Sequence, residues 1–174
     1  MRRITSGPSD NVVPSWSRDG RWIYFGSKRS GDWQIWKASA HKGATLQVTK
    51  KGGMEAFESF DGNYVYYAKS ELPGIWRVPV TGGEETRVLK RGPLGLWALA
   101  EQGIYFGEVS SSAVPVLKFY RFDTRQIQVV KEFTQGTRID SPESAFSVSP
   151  DGQWILYTQF DQSGSDLMLM ENYR

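Results

Sequence analysis

The 174-residue sequence has no cysteine and a single histidine, His41. Missing thiols exclude disulfides, zinc ribbons and thiol catalysis. One imidazole is too few for a histidine-ligated catalytic metal, and the absence of a Gly-x-Ser-x-Gly elbow argues against a Ser-His-Asp triad. We therefore expect His41 to lie in a solvated loop, and we expect no enzyme activity, no metal site and no cofactor.

Long apolar runs and a strong charge excess are also missing. No run of about 18 apolar residues occurs, so the sequence predicts no membrane span. Met1–Pro8 contains two arginines but no apolar stretch, which excludes a signal peptide. The formal charge of +2 is too balanced to indicate direct nucleic-acid binding. The sequence does not determine the cellular compartment. We expect a periplasmic location if the chain is attached to a membrane-linked parent protein, and a cytoplasmic one for the chain as given.

What the sequence does contain is a repeat. An aromatic-rich strand, a tight glycine turn and a second aromatic strand occur four times, the second strands reaching Phe25, Tyr67, Phe106 and Tyr157. The spacing of roughly 40 to 50 residues suits one four-stranded propeller blade. We therefore predict an all-β fold, a β-propeller of about four four-stranded blades.

The blades are expected within one domain spanning residues 1–174. Their predicted ranges are 12–49, 54–89, 94–130 and 142–170. The fourth blade lacks an outer strand, and residues 2–5 resemble one, so residues near Ile4 are expected to pair beside Leu169 and close the ring. The C-terminal part of a propeller with more blades satisfies the same pattern.

An Asp-Gly pair stands at the turn of three of the repeats, namely Asp19-Gly20, Asp61-Gly62 and Asp151-Gly152. Such a pair tolerates the positive φ of type I′ hairpin turns, whose twist matches that of the strands. The pattern thus favours a turn over metal ligation. Replacing Asp151 with Asn is then expected to change stability little.

These turns sit in a longer motif. Residues 14–27, PSWSRDGRWIYFGS, and residues 147–157, SVSPDGQWILY, resemble the TolB-type, WD-repeat-like propeller repeat. The second repeat departs from it at Phe60, and the third has Gln102-Gly103 in place of Asp-Gly. Residues 161–174 are similar to the end of propeller modules that often follow the winged-helix DNA-binding domain of CadC-like bacterial regulators. This resemblance favours the C-terminal part of a larger propeller, and it assigns DNA binding to no residue of this chain.

A candidate partner-binding face follows from the predicted loops. Propellers usually bind on the face formed by the loops between blades and between each blade's second and third strands. Basic residues recur there, which predicts a weakly cationic rim for an acidic protein or small ligand. Trp16 and Trp97 lie on inner strands that line the central channel, where they are candidates for ligand stacking. The basic candidates are Lys28, Arg29, Lys50, Lys51, Lys90, Arg91 and Arg138.

The sequence therefore predicts a non-catalytic propeller module for protein interaction or ligand sensing, part of a larger bacterial regulatory protein. One alternative is the accessory propeller of a prolyl-oligopeptidase-like hydrolase, which requires a hydrolase domain after Arg174. Another is a free-standing TolB-like periplasmic scaffold, which requires an export signal that Met1–Pro8 does not supply.

Overall fold

The computed structural model describes residues 2–41, 43–110, 113–134, 137, 139, 146–149, 151–161 and 164–170. Within these residues every regular element is a β-strand, and no helix is present. The chain divides into two compact units, Met1–Lys90 and Arg91–Arg174, which we describe separately.

Unit 1 consists of two four-stranded antiparallel sheets, each with its strands in sequence order. The strands of the first are β1 (Asn11–Trp16), β2 (Trp22–Ser30), β3 (Asp32–Ser39) and β4 (Thr45–Gln47). Those of the second are β5 (Glu55–Glu58), β6 (Tyr64–Ala68), β7 (Ile75–Pro79) and β8 (Thr86–Leu89).

Unit 2 repeats this up-and-down arrangement. Its first sheet contains β9 (Trp97–Ala100), β10 (Gly103–Ser110), β11 (Ala113–Arg121) and β12 (Ile127–Glu132). Its second sheet contains three strands among the described residues: β13 (Phe146–Val148), β14 (Ile155–Asp161) and β15 (Gly164–Met170). Four consecutive antiparallel meanders are typical of propeller blades and confirm the all-β prediction.

The N-terminal residues behave differently from the expectation. Residues 2–6 form no strand, and the guanidinium of Arg2 donates to the carbonyl oxygens of Ala40 and His41 in the loop after β3. The outer strand predicted at residues 2–5 is thus not formed in this structure. Pairing of residues near Ile4 with Leu169 stays a prediction.

Each unit has its own cluster of buried apolar side chains, drawn mostly from the second and third strands of each of its sheets. Aromatic and β-branched residues dominate both clusters, because they fill the pleated surface of a sheet best. In unit 1 the cluster is Tyr24, Ile35, Ala56, Val65, Tyr67, Trp76 and Val78. In unit 2 it is Leu96, Ala98, Tyr105, Leu117, Phe119, Phe133, Ile139, Ile155 and Tyr157.

The Asp-Gly turns have a different geometry from the predicted one. In the first turn, Gly20 has φ +69° and its N–H donates to the carbonyl of Ser17 at 3.0 Å. Asp19 does not have a positive φ, whereas a type I′ turn requires one at both central residues. The type I′ prediction is therefore wrong: the loop has four residues, and only its glycine adopts the left-handed conformation.

A serine two residues before each aspartate explains this loop. Ser17 Oγ donates to Asp19 Oδ1 at 2.6 Å and accepts the N–H of Trp22 at 2.8 Å. Asp19 Oδ1 also accepts the N–H of Arg21 at 2.9 Å. These two donors hold the pKa of the Asp19 carboxyl below its ordinary value. Ser59–Asp61 and Ser149–Asp151 repeat the same hydrogen bonds, so we call this loop the Ser-x-Asp-Gly turn.

Candidate functional site

Positively charged side chains collect where β2, β4, β6 and β8 end. In an antiparallel sheet alternate strands end at the same edge, and Glu55 pairs with Ala68, which brings the β4–β5 loop to the end of β6. We call this set the cationic edge of unit 1. Its members are Lys28, Arg29, Lys50, Lys51, Lys69, Arg87 and Lys90.

Trp76 lies beneath two cations of this edge, Lys69 and Arg87. The indole is 8% exposed, and two cations stand over it: Lys69 Nζ at 4.5 Å and Arg87 Cζ at 4.9 Å from the ring centroid. Strand register explains the arrangement, because Trp76 of β7 pairs with Tyr67 of β6 and with Arg87 of β8. A tryptophan face attracts cations through its quadrupole, by about 0.5–2 kcal/mol each depending on desolvation.

Arg87 is held in place by backbone oxygens. Its Nη2 donates to the carbonyl of Pro73 at 2.6 Å and to that of Lys90 at 3.1 Å. Gly74 is needed beneath it, since a Cβ there would lie 2.5 Å from the Leu89 carbonyl oxygen and 3.0 Å from Arg87 Nε. Gly74 also has φ +127°, which disfavours any other residue.

Lys69 follows β6 directly and reaches across to the β4–β5 loop. Its ammonium group donates to the carbonyl of Lys51. Burial lowers the pKa of Lys69, the nearby Glu85 opposes that effect, and the charges of Lys51 and Arg87 lower the pKa further. Lys69 therefore lies close to two other cations and to one carboxylate.

Glu85 is the carboxylate nearest to this cluster, and its oxygens are already occupied. Oε1 accepts the N–H groups of Lys50 at 2.6 Å and Lys51 at 3.2 Å, and Oε2 accepts the hydroxyl of Tyr67 at 2.6 Å. Burial, followed by the hydrogen bond to Glu85, raises the pKa of the Tyr67 phenol. In the described part of the chain neither Lys51, Lys69 nor Arg87 forms an ion pair with a carboxylate.

The other predicted cations fall into two groups. In unit 1, Lys28 Nζ lies 5.0 Å from the Trp33 ring centroid, while Arg29 stacks on Phe25 and Trp36. Lys50 and Lys90 are exposed. In unit 2, Arg91 forms an ion pair with Glu108 at 2.8 Å, and Arg138 lies outside the described residues. The structure thus brings the unit 1 candidates to one edge and shows the charge of Arg91 to be paired.

The two tryptophan candidates occupy opposite environments. Trp16 on β1 is 63% exposed, whereas Trp97 on β9 is 2% exposed. A ligand could stack on Trp16 in this conformation, but it could not reach Trp97 without displacing the side chains around it.

No group of three or more metal-ligating side chains occurs among the described residues, and His41 is exposed after β3. No helix that is long and apolar enough to cross a membrane occurs in that part of the chain.

Sequence reasoning missed Lys69, Arg87, Trp76 and Glu85 as one group. The available signals were Lys69 directly after β6 and Arg87 on β8, opposite the aromatic Trp76 of β7. Assigning those residues to a single cluster required the register of three strands, which the repeat pattern does not supply.

Comparison with known proteins supports the fold. No family model matches the chain. An uncharacterized protein of Agrobacterium fabrum is 43% identical over 47 residues, which is 27% of this chain and 16% of that protein. The crystal structure of TolB from Acinetobacter baumannii matches with a TM-score of 0.75 and 19% identity, over 92% of this chain and 40% of that one.

Two further structures are similar. A TolB-type protein from Agrobacterium tumefaciens has a TM-score of 0.75 and 18% identity, over 98% of this chain and 61% of the other. A prolyl endopeptidase has a TM-score of 0.60 and 14% identity, over 94% of this chain and 28% of the other. The fold is therefore a β-propeller of the kind seen in TolB. The chain spans less than two thirds of each of these proteins.

Proposed function

We propose that this chain is a non-catalytic binding module that captures an acidic protein partner on the cationic edge of unit 1. The observation that carries the proposal is the pair Lys69 and Arg87 over Trp76 with Lys51 beside it, three cations that form no ion pair with a described carboxylate. Cations without an ion-pair partner attract an anion, and the aromatic ring beneath Lys69 and Arg87 helps to hold them in position.

Membership of a larger bacterial regulatory protein belongs to the same proposal. It rests on the resemblance of the repeat to TolB-type propellers and of the C-terminal residues to regulator-associated modules. Sensing would then consist of partner capture at the cationic edge, with the response carried by other parts of such a protein. Expression of the module alone, followed by binding measurements, separates capture from response.

A second candidate is the accessory propeller of a prolyl-oligopeptidase-like hydrolase, favoured by the likeness to a prolyl endopeptidase. Such a propeller admits substrate to a neighbouring catalytic domain and needs no acidic partner. Charge-selective binding by the module alone favours the binding module for an acidic partner. Absence of such binding favours the accessory propeller of a hydrolase.

The test uses a fluorescein-labelled glutamate-rich peptide and its glutamine counterpart as a matched control. We expect only the glutamate peptide to raise the fluorescence anisotropy, with an affinity that falls about tenfold or more as NaCl increases from 25 to 300 mM. An affinity for the glutamate peptide that salt does not change would refute an electrostatic binding edge.

A further inference from the structure

We infer that Lys69 and Arg87, which stand over Trp76, form with the neighbouring Lys51 a receptor for one carboxylate group of the partner, either an acidic side chain or a C-terminal carboxylate. This inference rests on the proposed function and narrows it from the whole cationic edge to one group of residues.

The cluster has hydrogen-bond donors to spare. Arg87 uses Nη2 for the carbonyls of Pro73 and Lys90, and its Nε and Nη1 donate to no described acceptor. Lys69 donates one hydrogen bond, to the carbonyl of Lys51, out of the three that an ammonium group can make. A carboxylate has two oxygens and accepts several charge-assisted hydrogen bonds, which matches this set.

The positions of the cations are fixed before a ligand arrives. The carbonyls of Pro73 and Lys90 fix the guanidinium of Arg87, and the Trp76 ring lies beneath both cations. Less side-chain entropy is then lost on binding, which favours affinity. Glu85 acts on Lys69 through its charge, but its oxygens accept from the backbone of Lys50 and Lys51 and from Tyr67, and it forms no ion pair with Lys69 or Arg87.

Nearby negative charge favours a discrete carboxylate over a nucleic acid. Exposed Glu71 lies in the β6–β7 loop, two residues before Pro73, and exposed Glu84 precedes β8. A nucleic-acid strand carries a phosphate about every 3.4 Å and would bring several of them close to these carboxylates. A single carboxylate brings one negative charge instead of a series of them.

The chain supplies matched variants for the experiment. Lys50 and Lys51 are adjacent and exposed, and both donate a backbone N–H to Glu85. Lys51 is the one whose carbonyl accepts from Lys69 and whose charge lowers the pKa of Lys69. Lys51→Gln therefore removes one positive charge inside the proposed receptor, and Lys50→Gln removes one positive charge outside it. Lys69→Gln removes a direct donor, and thermal melting checks that each variant is folded.

The probes are the glutamate-rich peptide with a free C terminus, the same peptide amidated, a glutamine peptide with a free C terminus, and a single-stranded DNA oligonucleotide. We expect Lys69→Gln to weaken binding of the glutamate-rich peptide about tenfold or more, since hydrogen bonds to charged groups contribute roughly 1.5–3 kcal/mol. Lys51→Gln should weaken binding two- to fivefold at 25 mM NaCl, and Lys50→Gln less than twofold.

Each outcome decides a separate point. Binding of the glutamine peptide with a free C terminus identifies a C-terminal carboxylate, whereas unchanged binding after amidation identifies an acidic side chain. Equal small losses in all three variants would overturn the receptor and leave the cationic edge standing. Absence of peptide binding by the unmodified chain would overturn the proposed function and the receptor with it, and tighter binding of DNA would overturn the choice of a carboxylate.

Discussion

Gly26 and Gly107 occupy equivalent positions in two repeats, after the aromatic pairs of β2 and β10, yet their surroundings differ. A Cβ at Gly26 would collide with the carbonyl oxygen of Met54 and lie 3.0 Å from the Cα of that residue. A Cβ at Gly107 would make ordinary contacts with Leu96, at 3.6 Å or more. Neither glycine has a positive φ, so alanine fits the backbone conformation at both positions.

We predict opposite effects of Gly26→Ala and Gly107→Ala on the free energy of unfolding. The clash at Gly26 is with backbone, which moves less easily than a side chain, and overpacking of this kind costs about 1–3 kcal/mol. At Gly107 the loss of glycine's extra unfolded-state freedom is expected to stabilise the strand by about 0.5–1 kcal/mol. The two variants should therefore differ by roughly 2 kcal/mol or more.

Urea denaturation followed by tryptophan fluorescence measures this difference. With a slope of about 2 kcal/mol per molar urea, the two midpoints should be separated by about 1 M. Similar midpoints for the two variants would refute the reasoning, because the close approach of the β4–β5 loop to β2 would then not restrict residue 26.

Three further predictions concern hydrogen bonds. Ser59→Ala should lower the free energy of unfolding by about 1–2 kcal/mol in chemical denaturation, because the hydroxyl serves Asp61 and the N–H that begins β6. Carboxyl NMR should show the pKa of Asp151 below the ordinary aspartate value, and Ser149→Ala should raise that pKa again. The stabilisation that ionised Asp151 contributes is present above pH ~4 and is lost as the pH falls through the lowered pKa. Tyr24→Phe should cost about 1–3 kcal/mol in the same denaturation assay, since it leaves a buried Glu58 oxygen without its 2.6 Å donor, whereas a loss below 0.5 kcal/mol would contradict that role.

The fold could be predicted because its signal is local and repeated. Each blade is a meander of consecutive strands, so an aromatic run, a glycine turn and a second aromatic run already define the central hairpin. Turn type was harder to predict. Asp-Gly alone is typical of type I′, and recognising the four-residue loop required Ser17 or Ser59, two positions before the aspartate, as part of the motif.

The candidate site could be predicted only in part. Lys50 and Lys51 stood out because adjacent lysines in a loop are visible in the sequence. Arg87 did not, since it lies inside a predicted strand and its role depends on being opposite Trp76. Trp16 and Trp97 both lie on the first strand of a sheet but at different positions, since Trp16 pairs with Ile23 and Trp97 pairs with Phe106. Their opposite exposure, 63% and 2%, depends on this register, which the repeat pattern does not supply.

The Ser-x-Asp-Gly turn has a consequence for how such chains diversify. Its hydrogen bonds come from the serine, the aspartate and the backbone, and the second position contributes no side-chain atom to them. That position is arginine at Arg18, phenylalanine at Phe60 and proline at Pro150. Arg18 and Phe60 even stack on each other, with Arg18 Cζ 3.7 Å from the Phe60 ring centroid. At the second position of such a turn the side chain can therefore change while the loop keeps its conformation. New surface chemistry can then arise at that edge of a blade without a change in backbone conformation.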